Sequence, residues 1–284
     1  MSVGDSEDQR AASRGMWETA AAGWGKRADR VREWGMPVSV AMVEALALHP
    51  GERVLELAAG PGDTGFMAAE LIAPGGTLIS SDGAEAMVEV ARRRAAEAGL
   101  RNIEFKRLEL EWIDLDAASV DAVLCRWGIM LIVDPAAAAQ EIRRVLRAGG
   151  RAAFAVWDSP ERNPWATIPN RVMIGLGHAE PPDPDAPGMF RLAAEGRLAN
   201  LLGNAGFIEA AVEPVALERR YRRLADYIDE TLDMSPTFGA VFNALDDGQR
   251  AAVLERIAAD AKPFTAPDGS VVLPGSSLVA LASA

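Results

Sequence analysis

Short apolar runs alternate with segments of helical spacing along the first half of the chain. The runs predict strands over residues 53–57, 77–81, 102–106, 120–125 and 152–157. The segments between them carry apolar positions three and four residues apart, which is typical of amphipathic helices. Strands that alternate with helices at this spacing predict right-handed βαβ units, and therefore an α/β domain with a mainly parallel sheet and helices on both faces.

Two parts of the chain depart from this rhythm. In residues 1–35 the pattern predicts a polar tail over residues 1–14, followed by cap helices that pack over the domain. Pro37 is predicted to lie in the first turn of the next helix. The domain proper is predicted over residues 36–284. Inside it, residues 160–204 combine helical segments with a proline-rich loop, which predicts a helical lid insertion over the carboxyl ends of the strands, where open α/β sheets bind ligands.

Composition and charge narrow the classes of function. Hydrophobic residues make up 49% of the chain, which predicts a packed core, and the formal net charge of −12 disfavours a nucleic-acid substrate because phosphate binding needs a basic face. We interpret the basic cluster at residues 219–223 as a solvated strand end. The polar N-terminus lacks the apolar core of a signal peptide, and no apolar window is long enough for a membrane span, so we expect a soluble, cytoplasmic protein.

The central motif runs from residue 54 to residue 65, where an apolar strand leads into a turn of small residues. It contains a literal G-x-G-x-x-G from Gly60 to Gly65, and such glycines let a ligand approach the backbone closely. The spacing alone is compatible with a dinucleotide. Glu56 favours another ligand, because a carboxylate repels a pyrophosphate and attracts the sulfonium and ammonium groups of S-adenosyl-L-methionine (SAM). The alternative for Glu56 is a solvated charge at the strand end.

Three acidic residues fall near the ends of the first three strands. Glu56, Asp82 and Glu109 are separated by 26 and 27 residues, about one βα unit each, so neighbouring strands would bring them to one crevice. Asp82 is placed to accept hydrogen bonds from a ribose diol, a role that a dinucleotide site shares. Glu109 is a candidate acceptor for an adenine amino group, with the backbone N–H of Leu110 on a ring nitrogen. Glu109 and Glu111 are equally compatible with ordinary loop charges.

In combination these motifs resemble those of class I SAM-dependent methyltransferases, in the branch that includes ubiquinone/menaquinone-biosynthesis enzymes and bacterial small-molecule methyltransferases. The resemblance covers about residues 52–157 and rests on residues 54–65, residues 80–82 with Met87, and residues 109–110, 120–128 and 143–150. It implies a Rossmann-like sheet of seven strands whose last strand is antiparallel. Residues 207–217 and 278–282 are the candidates for the last two strands.

The resemblance also implies roles for individual residues. The methionine end of SAM would be held by Glu56, Ala58, Gly60, Gly62 and Arg126, the ribose by Asp82, and the adenine by Gly83, Met87, Glu109 and Leu110. The sequence departs from the family pattern at three of these positions. Ala58 replaces the commoner first glycine, Glu109 replaces the commoner aspartate, and Gly83 stands where a bulkier apolar residue often packs on the adenine.

Methyl transfer from a sulfonium is an in-line displacement, so positioning and desolvation supply much of the acceleration. A base is needed only where the acceptor must lose a proton, and His178 in the insertion is the candidate, with a solvated loop histidine as the alternative. Trp127, Trp157 and Phe190 are predicted to line an apolar acceptor pocket, or else to be plain core. No metal is expected.

The leading hypothesis is therefore a SAM-dependent methyltransferase that acts on O, C or N of a small, apolar or aromatic molecule and releases S-adenosyl-L-homocysteine (SAH). An NAD(P)-dependent oxidoreductase is the alternative enzyme, but it would need a catalytic Tyr/Lys or Cys arrangement, and the two tyrosines, Tyr221 and Tyr227, lie far beyond the cofactor half. A SAM-binding protein without transferase activity also stays open. An apolar face on the N-terminal helices is compatible with a homodimer or with packing on the sheet.

Overall fold

The structure, a computed structural model, describes residues 3–284. Seven strands form one sheet in the order β3-β2-β1-β4-β5-β7-β6. Neighbouring strands are parallel, except that β7 runs antiparallel to both β5 and β6. The predicted fold class is thereby confirmed. The strands are β1 (Arg53–Leu57), β2 (Thr77–Asp82), β3 (Ile103–Arg107), β4 (Val120–Arg126), β5 (Leu146–Trp157), β6 (Ile208–Tyr221) and β7 (Val271–Ser283).

The helices pack around this sheet. In residues 3–284 none of them is both long and apolar enough to cross a membrane. Asp134 caps α5 by accepting hydrogen bonds from the N–H groups of Ala136 and Ala137, as its position before a proline predicts. The helices are α1 (Val3–Lys26), α2 (Ala28–Leu46), α3 (Asp63–Leu71), α4 (Glu85–Glu97), α5 (Pro135–Val145), α6 (Pro164–Gly175), α7 (Arg197–Asn204), α8 (Leu224–Met234), α9 (Pro236–Ala244) and α10 (Asp247–Ala261).

The central strands carry the core. Val54, Leu55 and Leu57 of β1 are fully buried, and so is every residue of β4 from position 122 to position 125. Parallel strands that are covered on both faces have continuous apolar runs, which is why both strands are visible in the sequence. Their carboxyl ends lie side by side with that of β2, and this edge of the sheet holds the candidate site.

The N-terminal segment differs from the prediction. The tail expected over residues 1–14 is wrong from Val3 on, where α1 begins, and residues 1 and 2 lie outside the described part of the chain. Polar residues there are docked instead of solvated, since Arg10 and Arg14 form ion pairs with Glu111 and Glu109. These partners lie 101 and 95 residues away along the chain, so local sequence does not reveal them.

Pro37 lies inside α2 and does not start a new helix. An internal proline costs a helix about 3 kcal/mol through the lost hydrogen bond and the ring clash. The same face of α2 continues on both sides of it, because Val31, Val38 and Met42 are all fully buried. Burial of such side chains stabilises the helix by about 1.5–3 kcal/mol each, which outweighs the cost of the proline.

The second half has longer strands than predicted, and its insertion contacts the sheet end. β7 begins seven residues before the predicted strand at residues 278–282 and passes through Pro274 and Gly275 without interruption. Between β5 and β6 lie α6, a loop and α7. In that loop Arg191 Nη1 donates to the carbonyl oxygen of Ile132 at 2.7 Å, so the insertion is tied to the segment after β4. The boundaries of the cap helices and of a lid over residues 160–204 stay a prediction.

Candidate functional site

A cavity opens at the carboxyl ends of β1, β2 and β4. Its empty volume is about 930 Å³, including the part that is open to solvent. Five residues of α1 form one side, and the rest of the wall consists of residues 58–61, 82–84 with Met87, 109–111, 126–128 and 131–133. Eight of the ten residues predicted to bind the cofactor therefore lie on one wall, and Glu56 and Gly62 do not.

The turn after β1 exposes its backbone to this cavity. Ala58 and Gly60 both have left-handed backbones, with φ values of 50° and 53°. A side chain on Gly60 would meet no atom within 4 Å, so the wall is open there. The left-handed conformation is strained for alanine. The absence of a side chain on Gly128 leaves space for the methyl group of Ala58, because a Cβ on Gly128 would lie 2.4 Å from the Cβ of Ala58.

Glu56 supports the turn from inside the protein. It is 3% exposed, and its carboxylate accepts hydrogen bonds from the N–H of Gly65 at 2.7 Å and from the hydroxyl of Ser80 at 3.2 Å. A Cβ on Gly65 would lie 2.1 Å from this carboxylate, which explains the third glycine of the motif. Burial raises the pKa of Glu56 to about 8, against the opposing effect of these hydrogen bonds and of Arg126. Glu56 therefore reaches the cavity only through the turn that it holds, and its role at the methionine end of SAM stays a prediction.

Asp82 lies on the wall at the end of β2. Its two oxygens accept hydrogen bonds from the N–H groups of Gly60 and Ala84, both at 3.0 Å, so the carboxylate has a fixed orientation. Burial raises its pKa to about 6, and the nearby charges of Glu109 and Glu18 add to the shift. Each carboxylate oxygen has a second lone pair, and a pair of neighbouring hydroxyl groups in the cavity would fit them.

Arg126 brings a buried positive charge to the end of β4. Its guanidinium carbon lies 4.5 Å from the ring centre of Trp127, and its Nη1 is buried without a hydrogen-bond partner in the described part of the chain. Burial lowers the pKa of Arg126, while Asp63 and Glu56 oppose that shift. An unpaired buried N–H is costly, so this atom fits an anionic ligand group that would complete it. Gly35 on α2 leaves space for it, since a Cβ there would lie 2.6 Å from Nη1.

Helix α1 supplies the part of the wall that the sequence analysis missed. Arg10 and Arg14 bind Glu111 and Glu109, with N–O distances of 2.9 and 3.1 Å. Glu18 accepts hydrogen bonds from two N–H groups at the start of α4, at 2.8 and 2.9 Å. The wall residues of α1 share one helical face, and this spacing is the signal that would have identified them: Arg10, Ser13, Arg14, Trp17 and Trp24.

Trp127 is the one predicted acceptor-pocket residue that lines the cavity. It has a φ of 57°, and it is held by a hydrogen bond from its indole N–H to the Ser277 hydroxyl at 2.9 Å. Trp157 does not reach the wall but stacks on Trp127 with 4.3 Å between ring centres. Phe190 and His178 also lie off the wall, so the structure does not bring the predicted base to the site.

The prediction of a solvated strand end at residues 219–223 is wrong for Arg219. It is 5% exposed, and its guanidinium carbon lies 3.7 Å from the ring centre of Trp34 and 3.3 Å from that of Trp165. Glu230 on α8, 2% exposed, is its ionic partner at 3.5 Å. The other arginines of the cluster are exposed, namely Arg220, Arg222 and Arg223. Because Trp34 and Trp165 also contact Trp157, this buried cation supports the stack that holds Trp127.

Comparison with known proteins places this site in a known type of domain. A family model described as a methyltransferase domain matches residues 48–171. A demethylmenaquinone methyltransferase of Clavibacter sepedonicus is 38% identical over 121 residues, which cover 43% of this chain and 47% of the relative. A nocamycin O-methyltransferase of Saccharothrix syringae is 30% identical over 186 residues, 62% of this chain and 66% of the relative.

The chain spans about half the length of the first curated relatives that it matches. Among solved structures, the YcgJ protein of Bacillus subtilis has a similar fold, with a TM-score of 0.56 and 18% identity, and the match covers 86% of this chain and 97% of that protein. At this identity the likeness concerns the fold.

Proposed function

We propose that this chain is a SAM-dependent methyltransferase that acts on O, C or N of a small, apolar or aromatic molecule, and the match of residues 48–171 to a methyltransferase-domain model supports this proposal. One observation supports the cofactor most strongly. The buried Nη1 of Arg126 lacks a partner, and Arg126 shares a cavity wall with Asp82. The cavity thus offers a cation for a carboxylate and a carboxylate for a diol, and SAM carries both of these groups.

The wall residues fit the parts of SAM in order. Arg126 would bind the carboxylate, Asp82 would accept from the ribose hydroxyls, and Met87 and Leu110 would contact the adenine. When bound, SAM would supply a methyl group activated by its sulfonium. Glu56 would act through the turn, since its own oxygens are already bonded to Gly65 and Ser80.

The remaining wall suits a neutral acceptor. Trp127, Leu131 and Ile132 present apolar surface, and the cationic groups of Arg10 and Arg14 are already paired with glutamates. Among the residues that the structure describes, no histidine, tyrosine, lysine or cysteine lines the cavity. The chain would therefore act by orienting the acceptor and by excluding water under α1. It would not remove a proton itself, so the acceptor would either ionise in solution or react without losing a proton. The names of the two methyltransferase relatives also favour a small-molecule acceptor.

Calorimetric titration with SAM, SAH and NADH tests the cofactor. We expect micromolar binding of SAM and SAH, no binding of NADH, and a loss of about 100-fold in SAH affinity for Asp82→Ala, since the variant removes charged acceptors of the ribose hydroxyls. Asp114→Ala, an exposed carboxylate away from the cavity, is the matched control and should bind like the unchanged protein. NADH binding, or SAH binding that is indifferent to Asp82, would count against the methyltransferase and for a dinucleotide enzyme.

Cofactor binding should also release protons. With a pKa of about 8, well above its ordinary value of 4.5, Glu56 stabilises the empty protein at low pH and loses that contribution as the pH rises to about 8. A cationic ligand nearby favours the charged carboxylate and lowers this pKa. At pH 7 we therefore expect SAM to expel up to about one proton, and SAH, which lacks the sulfonium charge, to expel less.

Titrations at pH 7 in phosphate and in Tris measure this release, because the two buffers differ in their heat of ionisation. The proton release should disappear in Glu56→Gln, which keeps the shape of the side chain. Equal heats in both buffers for the unchanged protein would show that Glu56 does not change its protonation when SAM binds.

A further inference from the structure

Two residues that differ in size from those common in the resembling family lie next to each other in the part of the cavity where adenine is predicted to bind. Glu109 follows β3 and Gly83 follows β2, and both lie on the wall. A Cβ on Gly83 would lie 3.3 Å from Oε2 of Glu109, which is tighter than an ordinary van der Waals contact. The missing side chain of Gly83 thus leaves the space that the glutamate carboxylate occupies. The backbone of Gly83 is not left-handed, so its conformation does not itself require glycine.

The other carboxylate oxygen of Glu109 is held from α1. Arg14 Nη1 lies 3.1 Å from Oε1 of Glu109. The Glu109 side chain is 36% exposed, and a glutamate with that much freedom samples several rotamers unless a partner fixes it. Arg14 itself lines the cavity, so the pair belongs to the wall and is more than an ion pair on the outer surface.

We propose that Arg14 is a positioning residue for base recognition: it holds Glu109 folded over Gly83, so that the glutamate carboxylate accepts a hydrogen bond from the 6-amino group of adenine. This inference rests on the proposed function. A carboxylate in this position rejects a 6-oxo purine, because two acceptors face each other and neither has a donor.

The test compares SAH with S-inosylhomocysteine, in which an oxygen replaces the 6-amino group. In the unchanged protein SAH should bind about 100-fold more tightly than the 6-oxo ligand, as expected for a charged hydrogen bond made with one and refused by the other. In Arg14→Gln the preference should fall by about 10-fold, mainly through weaker binding of SAH. Arg14→Lys keeps the charge and should recover part of the preference.

Arg10→Gln is the matched control. Arg10 lies one helical turn before Arg14 and makes the same kind of ion pair, but with Glu111. Loss of that pair should loosen α1 to a similar degree and weaken both ligands equally, so that the preference for SAH is kept. Far-ultraviolet circular dichroism of each variant checks that the helices are retained.

Three outcomes decide the matter. A preference that falls in Arg14→Gln and is kept in Arg10→Gln supports the proposal. Equal weakening of both ligands in Arg14→Gln overturns it, because Arg14 would then only hold α1 in place. Failure of the unchanged protein to bind SAH is a different result, since it refutes the proposed function itself.

A double-variant cycle tests the contact between Gly83 and Glu109. Gly83→Val should weaken SAH binding by about 10-fold in the unchanged background, since the new side chain displaces the carboxylate. The same change should cost clearly less in Glu109→Asp, whose shorter side chain leaves the space beside position 83 free. Additive losses would overturn the role given to Gly83.

Discussion

Replacing Glu230 by leucine should lower the free energy of unfolding by about 3–5 kcal/mol, because it leaves the charge of Arg219 buried without its partner. Arg219 is 5% exposed and Glu230 is 2% exposed, and the N–O distance between their charged groups is 3.5 Å. Glu230 also accepts the hydrogen bond of the Tyr221 hydroxyl at 2.7 Å, so the same change leaves a second buried group unpaired. Urea denaturation at pH 7 measures the loss.

Two controls separate the buried charge from the general effect of mutating α8. Asp226→Ala removes an exposed ion pair with Arg223 on the same helix and should cost less than about 1 kcal/mol. The double variant Arg219→Met with Glu230→Leu removes both charges and should recover the part of the stability that the uncompensated charge costs, while the loss from the unpaired Tyr221 hydroxyl remains. A double variant that is as unstable as Glu230→Leu alone would show that the uncompensated charge does not dominate.

The burial of Arg219 also illustrates what the sequence does not contain. Four arginines within five positions read as a solvated strand end. Alternation along β6 separates them, so that Arg219 and Tyr221 share the covered face and Arg220 points the other way. The cover comes from Trp34 on α2, Trp165 on α6 and Glu230 on α8, which are distant in the chain. No local pattern marks such a convergence.

The cofactor half of the site is different, because strand positions determine it. The apolar runs of β1, β2 and β4 are readable, and parallel strands end at one edge of the sheet, so residues just after each run must lie close together. This reasoning predicts the place of Asp82, and the family resemblance adds Arg126; both lie on the cavity wall. Glu56 lies inside β1 as predicted, one residue before the strand ends, but the strand pattern does not show that its side chain turns into the protein.

Helix α1 was misjudged for the same reason as Arg219. Its polar residues were interpreted as a tail, but Arg10 and Arg14 find their partners on the loop after β3. An exposed charged side chain has nearly the same free energy in water as in an ion pair, so both arrangements are open to it. Sequence composition does not show which charges lie close together in the fold. The side of the cavity that α1 forms is therefore the part of the site that sequence patterns predict least.

Replacing Arg126 by methionine should weaken SAH binding by about 100-fold, because it removes the buried cation that would bind the ligand carboxylate. The empty protein should be at least as stable as before, since Nη1 of Arg126 has no partner there and methionine fills similar space without a polar atom. The combination of weaker binding and undiminished stability distinguishes a ligand-binding residue from a structural one. Calorimetry and urea denaturation measure the two quantities.

A truncated ligand shows which part of the cofactor Arg126 would bind. 5′-Methylthioadenosine lacks the amino-acid end, so its affinity should be the same for Arg126→Met and for the unchanged protein. Arg94→Met is the charge-matched control, because Arg94 pairs with Asp63 and does not line the cavity. It should leave the affinity ratio of the two ligands unaltered. If Arg126→Met weakened both ligands equally, the carboxylate would have to be bound elsewhere in the cavity.

Gly35→Ala reaches the same guanidinium from α2 without removing it. The added Cβ would lie 2.6 Å from Nη1 of Arg126, so the side chain must shift away from its position at the cavity. We expect a smaller loss than for Arg126→Met, about 10-fold for SAH and none for 5′-methylthioadenosine. The charge of Arg126 is the same in this variant and in the unchanged protein. A smaller loss of affinity, limited to the ligand with a carboxylate, would therefore be due to the changed position of the guanidinium.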